Sequence, residues 1–202
     1  MKTRQNRLPI GVLIVIASVA VASVAACSST HVRPYATAYQ DALTRYSGVG
    51  PIQQAWIDRF SAQFAAVGDE TLDIRATIES VYAPSLYFSD TLLTTERRSD
   101  ILSHFERMRG SEIVVEIDVL DQRIKGADLY LVWAMRATFK PGSAPVTSQT
   151  IGVSHLRFNA DGEVVLQQDF WDSTAGFYSH LPILGRIIRA ISARFTPEGV
   201  DE

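Results

Sequence analysis

This sequence is poor in cysteine: its 202 residues contain one, Cys27. A single cysteine cannot form an intrachain disulfide, and it cannot build a site that needs several thiolate ligands. If Cys27 carries a covalent lipid, no thiol remains for nucleophilic catalysis either. The folded part must therefore be stabilised by its hydrophobic core alone.

The four histidines, His31, His104, His155 and His180, lack the spacing of a metal site. No two of them stand four residues apart, as two ligands on one face of a helix would. We therefore expect no metal ion and no cofactor. Ser154 and His155 do not form a catalytic pair, because neighbouring residues on a strand point to opposite faces.

An excess of positive charge is also missing. The whole chain has 19 Lys and Arg residues against 22 Asp and Glu residues. Residues 1–26 contain three basic residues and no acidic one, which leaves 16 basic against 22 acidic residues in the remainder. A mildly acidic domain is poorly suited to nucleic acid, so we exclude that class of partner.

The first 26 residues have the order of a secretory signal. Three basic residues precede an apolar run over residues 10–22, and small residues precede Cys27. This ending resembles a bacterial lipobox, which implies cleavage before Cys27 and acylation of its thiol and new amino group. The alternative is an uncleaved N-terminal anchor. The next two residues are serines rather than aspartate, which by resemblance to sorting rules favours the outer membrane, facing the periplasm.

Helical patterns dominate the next part of the chain. Residues 27–50 are predicted to be a tether with a short helix around 35–46, and Pro51 is predicted to open a helix that ends at Gly68. A second short helix has its core residues at Leu72, Ile74, Ile78 and Val81.

Around Pro84 the pattern changes. Pro84 is predicted to end the second helix before a short strand at residues 86–88. A third helix is predicted from Thr94 or Thr95, with Thr95 as its cap, to Gly110.

A change from helical to alternating periodicity after Gly110 predicts a sheet of four long strands plus the short one. Residues 113–120 and 129–139 alternate, and Trp133, Met135 and Phe139 are predicted to share the core face. Two further runs flank the Asp161-Gly162 turn, which is a strong hairpin signal. Helices followed by antiparallel strands indicate an α+β fold.

An apolar stripe at helical spacing predicts a last helix over residues 183–195. Ile183, Ile187 and Ile191 lie on this stripe, and Arg186 and Arg189 lie off it. Packing of the stripe on the domain is the favoured interpretation, because such a face is seldom left exposed. The alternative is a helix on the lipid surface with its arginines near the headgroups.

Several segments in order, 64–69, 81–84, 87–90, 154–164 and 169–172, resemble a nuclear transport factor 2-like domain of the SnoaL-like type. The resemblance covers roughly residues 53–173. It implies a cone-shaped fold in which N-terminal helices pack on a curved antiparallel sheet around a cavity. We therefore divide the chain into a signal peptide (1–26), the tether (27–50), a cone domain (51–175) and a C-terminal helical extension (176–202).

Ketosteroid isomerase offers a residue-by-residue comparison. The resemblance implies that its general base corresponds to Asp90, followed here by Thr91 instead of the usual Pro. Its two oxyanion donors correspond to a first-helix position near Phe60 or Ser61 and to Ser154, and neither is the expected Tyr or Asp. Since such donors contribute several kcal/mol to stabilising the dienolate, the sequence does not predict steroid isomerisation.

SnoaL-like cyclases use an acid–base Asp late in the sheet, which corresponds to Asp169 or Asp172. Three residues apart on a strand, these two point to opposite faces, so at most one lines the cavity and the other caps the next helix or is solvated. Trp133 and Trp171 are candidates for an apolar wall that would raise a carboxyl pKa. Asp90 has the alternative of an N-cap or an Asx-turn.

Three functions remain open at this point. The first is a membrane-anchored domain, held by a lipid on Cys27, whose cavity binds a small, mostly apolar ligand through Tyr87, Trp133, Ser154 and Trp171. The second is an acid–base enzyme of the cyclase, isomerase or dehydratase type. The third is an interaction module that forms a homodimer.

Overall fold

The computed structural model describes residues 34–111 and 113–195. The chain divides into two compact units, 1–38 and 39–202, and the described part of the first is the beginning of helix α1. The described helices are α1 (Tyr35–Arg45), α2 (Gln54–Ala65), α3 (Ile74–Val81), α4 (Arg98–Arg109), α5 (Ser173–Gly176) and α6 (Leu184–Ser192). The strands are β1 (Tyr82–Ser89), β2 (Thr94–Arg97), β3 (Val114–Lys125), β4 (Asp128–Phe139), β5 (Val146–Phe158) and β6 (Val164–Trp171).

The strands form one six-stranded sheet in the order β2-β1-β6-β5-β4-β3. Every pairing is antiparallel except that of β1 with β6, which is parallel. The predicted α+β fold is confirmed. The parallel pairing brings β1, which follows the helices, beside the last strand of the meander, so that the ends of β1 and β6 meet.

Glycine-containing turns connect the long strands. Gly126 has a φ of +64° in the turn between β3 and β4, and Gly162 has a φ of +76° in the predicted turn between β5 and β6. Glycine adopts these left-handed conformations without the steric cost that other residues meet. A Cβ at Gly162 would also lie 2.4 Å from the Trp56 ring, so this turn packs closely on helix α2.

One face of the sheet packs against helices α2, α3 and α4. On β4 the predicted core residues Leu129, Leu131, Trp133 and Phe139 are buried, while Arg136 on the other face is exposed. The helices contribute apolar side chains to the same core: Trp56, Ile57, Phe60, Phe64, Ile78, Val81, Ile101, Leu102 and Phe105. The concave side of the sheet is thus the side of Trp133.

Two predicted helix starts are wrong. Pro51 does not open a helix, since α2 begins at Gln54. Residues Thr94–Arg97 form strand β2, which pairs with the edge of β1, and α4 begins only at Arg98. Thr95 lies inside β2 and is therefore not the N-cap of α4. Its hydroxyl donates to Asp100 Oδ2 at 2.6 Å.

Strand β1 is longer than predicted and includes Pro84. Pro84 lacks an N–H to donate, yet it fits here because the pairing of β1 with β6 is irregular between Tyr82 and Tyr87 and the pairing with β2 begins only at Ser85. The hydrogen-bonded register to β6 resumes at Tyr87.

Helix α1 contacts the outer face of β5 through a polar network. The Tyr39 hydroxyl lies 2.8 Å from His155 Nδ1, and the other ring nitrogen of His155 lies 2.8 Å from Asp128 Oδ1. Arg157 donates to the same carboxylate at 2.6 Å and also to the Leu43 carbonyl at 2.8 Å. His155 is buried, and each of its two ring nitrogens has a hydrogen-bond partner, as buried polar groups generally do.

Helix α6 leaves most of its apolar stripe exposed. Ile183, Ile187 and Ile191 are each more than half accessible to solvent. The expectation that this stripe packs on the domain is therefore wrong. The buried residue of the helix is Gly185.

Candidate functional site

A cavity of about 150 Å³ lies between the concave face of the sheet and the helices. Its wall is largely aromatic, with Phe64, Phe88, Phe105, Trp133, Phe139 and Trp171 among the lining side chains. Two carboxyl groups, Asp90 and Asp169, line the same cavity. The structure thus brings together two of the three predicted acid–base residues.

The carboxyl group of Asp169 is buried and held by neighbouring side chains. Ser154 donates its hydroxyl proton to Asp169 Oδ1 at 2.6 Å, and Gln167 Nε2 lies 3.0 Å from Oδ2. Trp133 Nε1, which can only donate, donates to the Ser154 oxygen at 2.9 Å. Ser154 therefore directs its own proton to Oδ1, and Gln167 Nε2 donates to both oxygens, at 3.2 Å to Oδ1 and 3.0 Å to Oδ2, so each carboxyl oxygen accepts a hydrogen bond.

Burial in this apolar wall raises the pKa of Asp169 to about 7. The hydrogen bond from Ser154 opposes the shift, because it favours the charged form, and the negative charge of Asp90 adds to it. Near neutral pH, Asp169 is thus present in both its protonated and its ionised form. A carboxyl group in this state can donate a proton or accept one.

Trp133 reaches Ser154 because the paired residue on β5 is glycine. Trp133 faces Gly152 across the β4–β5 pairing. A Cβ on Gly152 would lie 2.3 Å from the Trp133 ring. The missing side chain lets the indole lie flat over β5, which points its N–H at the Ser154 hydroxyl two residues further along.

Asp90 stands at the end of β1 in a tight turn. Its Oδ1 accepts the backbone N–H groups of Leu92 and Leu93 at 3.0 and 2.7 Å, which is the predicted Asx-turn. Its Oδ2 lies 2.8 Å from His104 Nε2 on α4. Thr91 in the same turn has a φ of +73°, a strained conformation for a β-branched residue.

Of the remaining candidates, Asp172, Tyr87 and Ser154 lie outside the cavity wall. Asp172 is exposed and accepts the Ala175 N–H at 2.9 Å as the N-cap of α5. Tyr87 is buried and donates to Gln168 Oε1 at 2.9 Å. Ser154 supports Asp169 rather than lining the cavity, while Trp133 and Trp171 both line it. Trp171 also donates to the Asp90 carbonyl at 2.9 Å.

Three residues of the site carried no prediction from the sequence. His104 pairs with Asp90, Gln167 pairs with Asp169, and Tyr82 donates to Gln167 Oε1 at 2.8 Å. His104 stands three residues after Ile101, which is buried on α4. This helical spacing could have indicated that His104 faces the interior of the domain. Gln167 and Asp169 alternate on β6, so their shared face was also readable.

No protein-family model and no curated protein matches this chain in sequence. Solved structures do match its fold. An epoxide hydrolase of M. tuberculosis described as LEH-like matches with a TM-score of 0.50 and 16% identity, over 69% of this chain and 96% of that one. A Shewanella denitrificans OS-217 protein, provisionally described as a SnoaL-like polyketide cyclase, matches with a TM-score of 0.51 and 11% identity, over 61% and 94%.

A protein of Catenulispora acidiphila DSM 44928 with a ketosteroid isomerase-like fold, solved with trimethylamine, matches with a TM-score of 0.50 and 17% identity, over 61% of this chain and 93% of that one. The predicted nuclear transport factor 2-like fold is thus confirmed. Within residues 34–111 and 113–195, no group of three His, Cys, Asp or Glu side chains is placed to hold a metal ion.

The raised pKa of Asp169 predicts how stability depends on pH. The folded chain keeps the Asp169 proton up to a pH of about 7, whereas the unfolded chain loses it near 3.8. Between these values the folded state binds more protons, so this group makes the free energy of unfolding fall as the pH rises. Asp169→Asn, which stays neutral, should remove roughly 2–4 kcal/mol of that fall.

Urea unfolding of the wild type and of Asp169→Asn from pH 4 to pH 8 measures the difference. Asp172→Asn is the matched control, since Asn also caps helices well and Asp172 is exposed. Parallel pH profiles for the wild type and Asp169→Asn would show that Asp169 titrates normally.

Proposed function

We propose that the domain binds a small, mostly apolar molecule that carries one hydrogen-bond acceptor, and that this acceptor faces Asp169. The observation that carries the proposal is the buried carboxyl of Asp169 on the wall of a largely apolar cavity, and the raised pKa of this group, about 7, agrees with it. The aromatic wall favours an apolar body. The protonated carboxyl of Asp169 offers a donor to a carbonyl or ether oxygen.

The volume of the cavity supports a ligand of modest size. An engineered apolar cavity of roughly 150 Å³ in another protein binds benzene. The cavity here is of the same size, about 150 Å³. A substituted single ring with a carbonyl group therefore suits both the volume and the placement of Asp169. The trimethylamine bound to one structurally similar protein is a ligand of comparable scale.

Acetophenone and ethylbenzene test this proposal, since they differ mainly in the carbonyl oxygen. Below pH 7 we expect the wild type to bind acetophenone roughly fivefold more tightly, which is the contribution of one neutral hydrogen bond. The preference should disappear as the pH rises through 7, because the ionised Asp169 repels the carbonyl oxygen. Titration calorimetry at pH 5.5 and 8.5 gives both affinities.

The matched variant is Ala137→Leu, which fills part of the cavity wall without changing a charge. This variant should lose both ligands. Equal affinity for the two ligands at both pH values would contradict the role of Asp169, and binding retained by Ala137→Leu would contradict the location.

Acid–base catalysis is a second candidate, favoured by the presence of Asp90 on the same cavity wall. Asp90 is oriented by two backbone N–H groups and by His104, and its charge adds to the raised pKa of Asp169. Such a pair can divide the work: Asp90 removes a proton next to a carbonyl, and Asp169 donates its proton to the carbonyl oxygen, which gives an enol.

Proton exchange separates an enzyme from a binder. In D₂O, the wild type should exchange the methyl hydrogens of acetophenone for deuterium roughly a hundredfold faster than buffer at the same pH, the lower range for general acid–base catalysis. Asp90→Asn should lose this acceleration because it lacks a base, and Asp172→Asn should keep it. A rate equal to that of buffer, measured by NMR, would leave binding as the function.

The N-terminal region adds a proposal of its own, although Cys27 lies outside the described residues. The lipobox-like ending at Cys27 supports a domain held by a lipid at the bacterial outer membrane, facing the periplasm. A tethered binder of apolar molecules would work next to the lipid that dissolves them.

Metabolic labelling with a palmitate analogue in a bacterial host tests the anchor. The wild type should incorporate the label and fractionate with membranes. Cys27→Ser should lose the label, whereas Ser28→Ala should retain it. A label that persists in Cys27→Ser would contradict acylation at this residue.

A further inference from the structure

Helix α6 is attached to the domain by its polar side. Gly185 is buried against the preceding 3₁₀ turn, Tyr178–His180, and a Cβ there would lie 2.0 Å from the Ser179 carbonyl oxygen. Arg189, one turn later, donates to the same oxygen at 3.2 Å. These contacts fix the rotation of the helix about its axis.

This rotation directs the apolar stripe of the helix away from the domain. Ile183, Ile187, Ile191 and Phe195 follow one another at intervals of four residues, and their exposed fractions are 78%, 51%, 53% and 83%. Ile187 and Ile191 lie on one side of α6, while Ile183 immediately precedes the helix and Phe195 follows it in the turn after Ser192. Isolated exposed apolar residues are ordinary, but a continuous row of large ones marks a surface that binds something.

The charged side chains of α6 and of the neighbouring loop over residues 140–145 are all basic. Residues 173–195 contain Arg186, Arg189 and Arg194 and no Asp or Glu. The loop over residues 140–145, whose Gly142 lies beside Pro182, adds Lys140 and again no acidic residue. These two segments thus carry four cationic side chains, whereas the acidic residues nearest to α6 in the sequence, Asp172, Glu198, Asp201 and Glu202, lie outside them.

We propose that α6 binds the surface of an anionic lipid bilayer, with the row Ile183, Ile187, Ile191 and Phe195 inserted among the acyl chains. A row of large apolar side chains beside arginines, on a helix short of acidic groups, is suited to this environment. Anionic headgroups complement the arginines and Lys140, whereas a second copy of this chain would bring the same positive charges together. Within the part of the chain that the structure describes, no helix is long and apolar enough to span a membrane.

This contact is separate from the proposed lipid on Cys27. The lipid would hold the chain at a membrane in any orientation that the tether permits. Insertion of α6 would select one orientation, because the contacts of Gly185 and Arg189 with Ser179 fix the helix to the domain. The contact also does not depend on ligand binding, since none of the four inserted residues lines the cavity.

A site-specific probe on the full chain tests the proposal without depending on how the chain reaches the vesicle. In a Cys27→Ser background, which leaves one thiol for labelling, Ile187→Cys carries the environment-sensitive dye NBD, and Asp161→Cys, in the exposed turn between β5 and β6, is the matched control. Both are reconstituted into vesicles of phosphatidylcholine with or without phosphatidylglycerol. We expect the dye at position 187 to shift to the blue with phosphatidylglycerol, and the dye at position 161 to keep its emission in water.

Charge variants in the Ile187→Cys background test the headgroup contact. Arg186→Gln and Arg194→Gln should each weaken the association of the helix with phosphatidylglycerol vesicles roughly fivefold, seen as a higher phosphatidylglycerol content at the midpoint of the shift. Arg123→Gln, on strand β3, should leave the midpoint unchanged. Added salt should act like the arginine variants.

Two results would overturn the proposal. The first is a dye at position 187 that stays as water-exposed as the dye at position 161 in both kinds of vesicle. The second is a blue shift that follows protein concentration and ignores lipid charge, which would show that a second copy of the chain covers the helix.

Discussion

The burial of one carboxyl group constrains the centre of this structure. Asp169 is buried on the inner face of β6, which it shares with Gln167, so water cannot solvate it and the protein must do so. Ser154 and Gln167 supply hydrogen bonds, and each is oriented in turn by a buried aromatic residue, Trp133 or Tyr82. These hydrogen bonds hold the carboxyl group in place and favour its ionised form. The loss of solvation on burial outweighs them, which is why the pKa of Asp169 rises.

The parallel pairing of β1 with β6 places this carboxyl next to its neighbour. Ser89 stands beside Gln168 in that register, so Asp90 follows directly at the end where Asp169 faces the cavity. Trp171 then closes the turn by donating to the Asp90 carbonyl. A fully antiparallel meander would not bring these two strand ends together. The two carboxyl groups therefore depend on one topological feature that joins the first and last strands of the sheet.

Sequence reasoning identified the elements with strong periodicity and failed where pairing partners decided the outcome. Alternation identified β4 and its core face, and Asp161-Gly162 identified the hairpin. Thr94–Arg97 read as the start of a helix, because the free edge of β1 that makes it a strand is invisible in a local pattern. Alternation showed that Asp169 and Asp172 point to opposite faces of the sheet, but not which of them faces the cavity. That choice depends on where β6 ends, because Asp172 lies beyond its last residue. His104 remained without a role because its partner Asp90 lies in another element.

The C-terminal segment connects the cavity with the exposed helix. Gly176 and Phe177 line the cavity, and the Phe177 ring lies 5.3 Å from the Phe139 ring on β4. The 3₁₀ turn that follows holds α6 through Ser179. Few residues separate the wall of the cavity from the stripe of α6, and the intervening contacts are close. A bilayer that binds α6 as proposed would therefore lie near the part of the cavity wall that Phe177 forms.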